Sequence, residues 1–244
     1  MLFSLRNRSL LSSPEELSQI PSGKVLVACL NAHSYNVAQR DERFAEILRK
    51  SNALLPDSVA IVWACKFLKA KSQPPKRIVG WDLFVFEMQQ LNVRGGKCMF
   101  LGSSEGALAL IKEKAKVEYP NIDVVTYSPP YREEFTVEES QTMVEAINKA
   151  NPDLLWIGMT APKQEKWTYE HWGKLQINCH VGCIGAVFDF FAGTVKRAPL
   201  WWQQHSLEWL YRLLTEPRRM WRRYILGNPL FIWNVLKEKM RPVA

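Results

Sequence analysis

No stretch of about 18 uncharged apolar residues occurs in the 244-residue chain, so no transmembrane helix is expected. Met1 to Ser13 holds two arginines, but no long apolar region and no small-residue cleavage site. A secretory signal is therefore not expected, and the protein should stay in the cytosol. No C-x-x-C is present, and the five cysteines (Cys29, Cys65, Cys98, Cys179, Cys183) are an odd number. Buried reduced thiols are expected rather than a disulfide framework, a zinc site or a redox pair. Neither a Walker A motif, nor G-x-G-x-x-G, nor D-x-D appears, and the four histidines lack metal-ligand spacing. No metal and no cofactor is expected. No RNA- or DNA-binding module pattern accompanies the positive charge, so no nucleic-acid partner is expected.

What is present is an uneven charge. The formal net charge is +8. Ten cations and three anions lie between Val195 and Ala244, which places +7 there and leaves the first 194 residues at +1. Five of the ten tryptophans share that tail. With 47% hydrophobic residues, the chain can bury one sizeable core and still carry an appendage. Residues 1–194 read as the core and residues 195–244 as a basic, Trp-rich helical appendage. Its cations and indoles suit an anionic membrane surface. Arg218, Arg219, Arg222 and Arg223 recur at i, i+1, i+4 and i+5, which predicts one helix face. Breaks are expected near Pro217 and Pro229.

Along the core, short apolar runs alternate with helical patterns, the signature of an α/β fold with a mostly parallel sheet. Strands are expected at 24–30, 97–101, 123–127, 154–158 and around 180–182. Helices are expected at 41–50, 59–70, 82–91, 107–118, 137–150 and 162–175. Residues 31–36 and 54–58 read as loops.

Parallel sheets bind ligands beyond the C-terminal ends of their strands. Asn31, Asp57, Gly102, Ser103, Thr160, Gln164 and Asp189 fall there. Gly102-Ser103-Ser104 can offer N–H groups and hydroxyls to a phosphate, or simply cap a helix. Asp57 can accept a proton from a positioned hydroxyl, or cap the following helix. Gln164 can orient a substrate oxygen, or stand exposed in a first turn. Asp189 lies among aromatics and needs a donor if buried, from a ligand or from backbone.

Several long pieces carry a resemblance. They include Leu30-Asn31-Ala32-His33, Leu55-Pro56-Asp57, Phe100-Leu101-Gly102-Ser103 and Gly158-Met159-Thr160-Ala161-Pro162-Lys163-Gln164-Glu165. Gly185 to Gly193, Arg197-Ala198-Pro199 and Leu207 to Leu213 complete the set. In this order, over roughly residues 24–231, the chain resembles the WecG/TagA/CpsF family of bacterial glycosyltransferases. The resemblance implies a Rossmann-like core with a C-terminal appendage that docks on the membrane. It implies metal-independent, inverting transfer of a sugar, N-acetylmannosamine or a related hexose or uronic acid. The donor would be a UDP-sugar and the acceptor a polyprenyl-diphosphate-linked sugar. The enzyme would lie on the inner face of the plasma membrane, in cell-surface polysaccharide biosynthesis, with self-association suggested.

Carried over by motif, Asp57 resembles the catalytic base, and Asn31 and Gln164 resemble contacts to acceptor or donor sugar. The tail arginines, Arg212, Arg218, Arg219, Arg222 and Arg223, resemble diphosphate contacts. Ser58 stands where relatives often carry Gly, and Cys29 where some carry Thr; both bear on which sugar is used. A non-catalytic nucleotide-sugar-binding module or an assembly subunit of a polysaccharide machine is the alternative.

Overall fold

The computed structural model describes residues 2–19 and 23–242. Six strands form one parallel sheet: β1 Val25–Leu30, β2 Ala53–Pro56, β3 Gly96–Gly102, β4 Ile122–Tyr127, β5 Leu154–Gly158 and β6 His180–Cys183. Their order is β2-β1-β6-β5-β3-β4. Every pairing is parallel, so all C-terminal ends share one edge. The Rossmann-like α/β architecture expected from the sequence is what is observed.

The strands read as unbroken apolar runs because both faces are covered. Along β3, Cys98 and Phe100 face one cluster while Met99 and Leu101 face another. In β5, Leu154 and Trp156 take the first side and Leu155 and Ile157 the second. The first cluster is closed by α4 (Gly80–Arg94), α5 (Glu105–Glu118) and α8 (Val187–Ala192). Phe84 on α4 sits 4.8 Å from Phe191 on α8, ring centre to ring centre. The second cluster lies under α6 (Val137–Ala150) and α7 (Lys163–Glu170).

Two segments read as loops are regular structure. Residues 32–38 form α1 (Ala32–Ala38), so the loop after β1 is Asn31 alone. Residues 53–56 form β2, whose Pro56 is tolerated because β2 is an edge strand. Two further core helices match their sequence patterns: α2 (Glu42–Lys50), capped by Asp41, and α3 (Val59–Leu68).

The appendage comprises α9 (Leu200–Gln204), α10 (Glu208–Thr215), α11 (Pro217–Trp221), a π turn (Arg222–Leu226) and α12 (Gly227–Met240). Pro217 opens α11, as the sequence suggests. Pro229 makes no break; it lies in the first turn of α12. A proline has no N–H to donate, and its ring crowds the carbonyl a turn earlier. Widening to a π turn just before it relieves that conflict.

The appendage does not hang free. Phe231 and Val235 of α12 are buried in a third cluster with Tyr35 of α1 and Ile61 and Cys65 of α3. Behind them, Glu238 is 2% exposed. It accepts hydrogen bonds from Tyr35 Oη (2.6 Å), Ser4 Oγ (2.6 Å), Leu5 N (2.9 Å) and Arg6 N (3.1 Å). Four donors compensate one buried carboxylate and tie the end of the chain to its beginning.

Candidate active site

Asp57 is the first residue past β2. Its N–H donates to Leu30 O at 2.9 Å, so the ends of β1 and β2 jointly fix it. Its Oδ2 accepts from Asn31 Nδ2 (3.1 Å), and its Oδ1 from the Gly80 N–H (3.3 Å) at the start of α4. Asn31 is aimed by its second task. Its Oδ1 caps α1, accepting from Ser34 N (3.0 Å) and Ser34 Oγ (3.2 Å), which leaves the amide nitrogen for Asp57. The helix-capping alternative for Asp57 is closed: Ser58 caps α3 through its own hydroxyl. Ser58 therefore has a local task of its own.

Burial pushes the Asp57 carboxyl above the ordinary aspartate range. The Asn31 amide, the Arg223 charge and the Gly80 N–H oppose the rise, and Glu208 adds to it. The residue as a whole is half-buried, with its carboxyl turned inward. The positive charge of Arg223 thus acts on Asp57. Together with Arg40 it also holds His33, already lowered by burial, down to about 4.

At the neighbouring strand ends, β3 and β5 approach closely. Gly102 has φ +126°, and a Cβ there would strike the Gly158 backbone. Ser103 follows in the left-handed region at φ +58°. Its N–H goes to Gly158 O (3.1 Å), and its carbonyl accepts from Ser128 Oγ (2.8 Å). Ser104 Oγ caps α5. The phosphate cradle suggested for Gly102-Ser103-Ser104 is therefore narrower than the sequence implied, because the Ser103 N–H is already used.

Gln164 is not the exposed first-turn residue that one reading allowed; it is 4% exposed. Its Oε1 accepts from Met159 N (3.2 Å) and its Nε2 donates to Glu165 Oε1 (2.9 Å). One lone pair and one N–H of the amide remain for a ligand. Thr160 is exposed, and its carbonyl accepts from Lys163 N at 2.8 Å. The peptide between Ala161 and Pro162 is cis.

Asp189 lies on α8 at the far side of this edge. Burial raises its carboxyl, Arg219 and Arg212 lower it, and Glu216 raises it. Among the described residues its carboxylate accepts no backbone hydrogen bond; two guanidiniums oppose its charge instead. The five arginines divide accordingly. Arg212 packs over the Phe190 ring (5.9 Å), and Arg219 pairs with Glu216 (2.9 Å). Arg223 is half-buried, and Arg218 and Arg222 are exposed.

Three residues beyond those singled out line the same region. Glu165 is 2% exposed, its Oε2 has no partner among the described residues, and burial raises its pKa to about 7. It lies on the stripe of α7 that also buries Trp167 and Thr168, and in the sequence it stood out only as the end of the Gly158–Glu165 motif. Arg77, just before α4, donates to Glu208 Oε2 (3.1 Å) and to Gln203 O (3.1 Å). Arg197 also pairs with Glu208, at 3.6 Å. Glu208 on α10 therefore clamps the appendage beside Asp57.

The arrangement is an ionisable loop carboxylate, amides and hydroxyls at one sheet edge, and guanidiniums delivered by the appendage. It suits proton abstraction from a hydroxyl beside an anionic leaving group. Comparison with known proteins points the same way. A protein of Bacillus subtilis (strain 168), named N-acetylglucosaminyldiphosphoundecaprenol N-acetyl-beta-D-mannosaminyltransferase, is 31% identical over 214 residues, 88% of this chain and 80% of its own length. A protein of the same name from Staphylococcus aureus (strain NCTC 8325 / PS 47) is 26% identical over 221 residues, 90% of this chain and 83% of its own. The family model described as "Glycosyl transferase WecG/TagA/CpsF family" matches residues 7–244. That match takes in both the sheet edge and the appendage that closes on it, and by it the chain belongs to the WecG/TagA/CpsF family of glycosyltransferases.

Proposed function

We propose that the protein transfers an N-acetylmannosamine-type sugar from a UDP-sugar to a polyprenyl-diphosphate-linked N-acetylglucosamine, with inversion and without a metal. The observation that carries this reading is the setting of Asp57. It is held at the strand ends by Asn31 and Gly80, raised by burial and faced by Arg223. The relatives' names supply the sugar and the lipid-linked acceptor.

In this mechanism Asp57 takes the proton of the acceptor hydroxyl. The resulting oxygen attacks the anomeric carbon from the face opposite UDP. The carbon–oxygen bond to the diphosphate breaks, and UDP departs with the electron pair. The transition state is oxocarbenium-like. Donors fixed in advance stabilise the charge that develops on the diphosphate. Arg223 and the free N–H of the Gln164 amide are placed for contacts of that kind. Thr160, Ser103 and Asp189 line the same strand ends and serve the donor. Arg218 and Arg222 face outward and serve the lipid-bearing side. No helix among the described residues is long and apolar enough to cross a membrane, so the enzyme works as a peripheral protein on the face where the acceptor lies.

The test is a screen of UDP-sugars against a synthetic isoprenyl-diphosphate-linked N-acetylglucosamine, with the purified full chain. Transfer from UDP-N-acetylmannosamine with release of UDP, undiminished by EDTA, is expected. Absence of transfer from every UDP-sugar, with the protein folded, would refute the reading.

A further inference from the structure

Helix α12 is apolar on two opposite sides. Phe231 and Val235 point into the core, while Trp233, Leu236 and Met240 lie on the opposite side. Trp233 is 52% exposed and Met240 72%. A helix that packs on a soluble body ordinarily turns a polar face outward. Here the outward face carries Trp233, Leu236 and Met240 instead.

That face continues onto the core. α3 packs beside α12, and Lys239 joins them: its Nζ donates to Phe67 O (2.8 Å) and sits 5.2 Å from the Phe67 ring centre. On α3, Trp63 is 66% exposed and Phe67 48%. They stand four residues apart on one side of the helix, opposite buried Ile61, Cys65 and Leu68. Nothing in the apolar pattern of residues 59–70 separates these two aromatics from core residues; only the packing does.

Charge identifies the occupant. Lys66, Lys69 and Lys71 are exposed around the α3 aromatics, and Lys237 and Lys239 flank the α12 stripe. Neither helix exposes an acid. α3 contains none, and the sole acid of α12, Glu238, is buried. A second copy docked here would set like charge against like. An anionic bilayer offers acyl chains to the indoles and phosphates to the lysines.

We propose that α3 of the core and the outward face of α12 together form the surface that enters an anionic lipid bilayer. This deepens the membrane placement proposed above and moves its apolar contact from the arginine segment to the α3–α12 face. Arg218 and Arg222 are then left to the headgroup level. Because α12 is also held by Glu238, the membrane contact is made by a rigid part of the body.

The experiment is flotation of the full chain with vesicles of phosphatidylcholine, with and without phosphatidylglycerol. The wild type should bind the phosphatidylglycerol vesicles. The pair Trp63→Ser and Phe67→Ser, and separately Trp233→Ser and Met240→Ser, should each weaken binding by roughly tenfold or more. Lys66→Glu with Lys237→Glu should abolish the preference for phosphatidylglycerol. Thermal unfolding should stay unchanged, since all six side chains are exposed. Binding like wild type in either serine pair would overturn the proposal. So would serine pairs that turn a dimer into a monomer while vesicle binding persists, because the face would then belong to a second copy. If the vesicle results come out as expected but no acceptor is glycosylated, the surface stands and the proposed reaction fails.

Discussion

Asp57 and Asn31 work as a unit. The Asn31 amide stabilises the ionised carboxylate, and burial opposes ionisation. In the proposed mechanism Asp57 must be deprotonated, so activity should be lost as pH falls through its folded-state pKa, which lies above that of an ordinary aspartate. Asn31→Ala removes one stabiliser of the charged form and should move the acid limb of the kcat/KM profile to higher pH. An unmoved limb would mean that Asp57 does not set it. Glu165 gives the second residue-scale prediction. Its pKa is raised from 4.5 to about 7, so the folded state holds its proton more tightly than the unfolded chain does. The Glu165 contribution to stability is most favourable below about pH 4.5 and is lost as pH rises through about 7, by roughly 3 kcal/mol in all. Glu165→Gln should flatten that fall, as read from urea unfolding at acid and slightly alkaline pH; an unchanged slope would assign it to other groups. Asp57 was legible in the sequence because its motif and its loop coincide. Glu165 was legible only as part of a motif, since burial of a carboxylate is decided by what packs over it.

At the scale of elements, the tight approach of β3 to β5 and α8 sets the shape of the site. A Cβ on Gly158 would lie 2.6 Å from the Phe188 ring, which is 1% exposed and 5.3 Å from Phe100. The ring has nowhere to retreat. Gly158→Ala should cost about 2–3 kcal/mol in unfolding free energy, and a loss below about 0.5 kcal/mol would show that the core yields. The α12 anchor makes a separate prediction. Glu238→Ala leaves the buried donors of Tyr35 and Leu5 without an acceptor, at about 1–3 kcal/mol each. Amide exchange along α12 should accelerate; unchanged protection would mean that Phe231 and Val235 hold the helix unaided. The long strands and helices were readable from periodicity. β2 and α1 were not. Four residues ending in Pro56 are too few to show an alternation. The buried polar residues of α1 make sense only once α12 lies on them, with Asn36 donating to Gly227 O at 2.7 Å and accepting from Asn234 at 3.1 Å.

For the whole molecule, the separation of a nearly neutral core from a cationic tail was visible in composition. How the tail is attached was not. The sequence suggested residues 195–244 as an appendage, and the structure closes it on the body through several contacts, among them Glu208 against Arg77 and Glu238 against the N-terminal segment and Tyr35. Such contacts pair residues more than a hundred positions apart and leave no local pattern. The consequence is that appendage guanidiniums act on both carboxyls, Arg223 on Asp57 and Arg219 and Arg212 on Asp189. The central claim is that the Asp57 carboxylate deprotonates the acceptor. The most direct measurement is single-turnover transfer by Asp57→Asn with UDP-N-acetylmannosamine and the isoprenyl-diphosphate acceptor, with UDP affinity measured alongside. A rate reduced on the order of 10²–10⁴-fold with UDP affinity retained is the predicted result; a rate near that of the wild type would contradict the account.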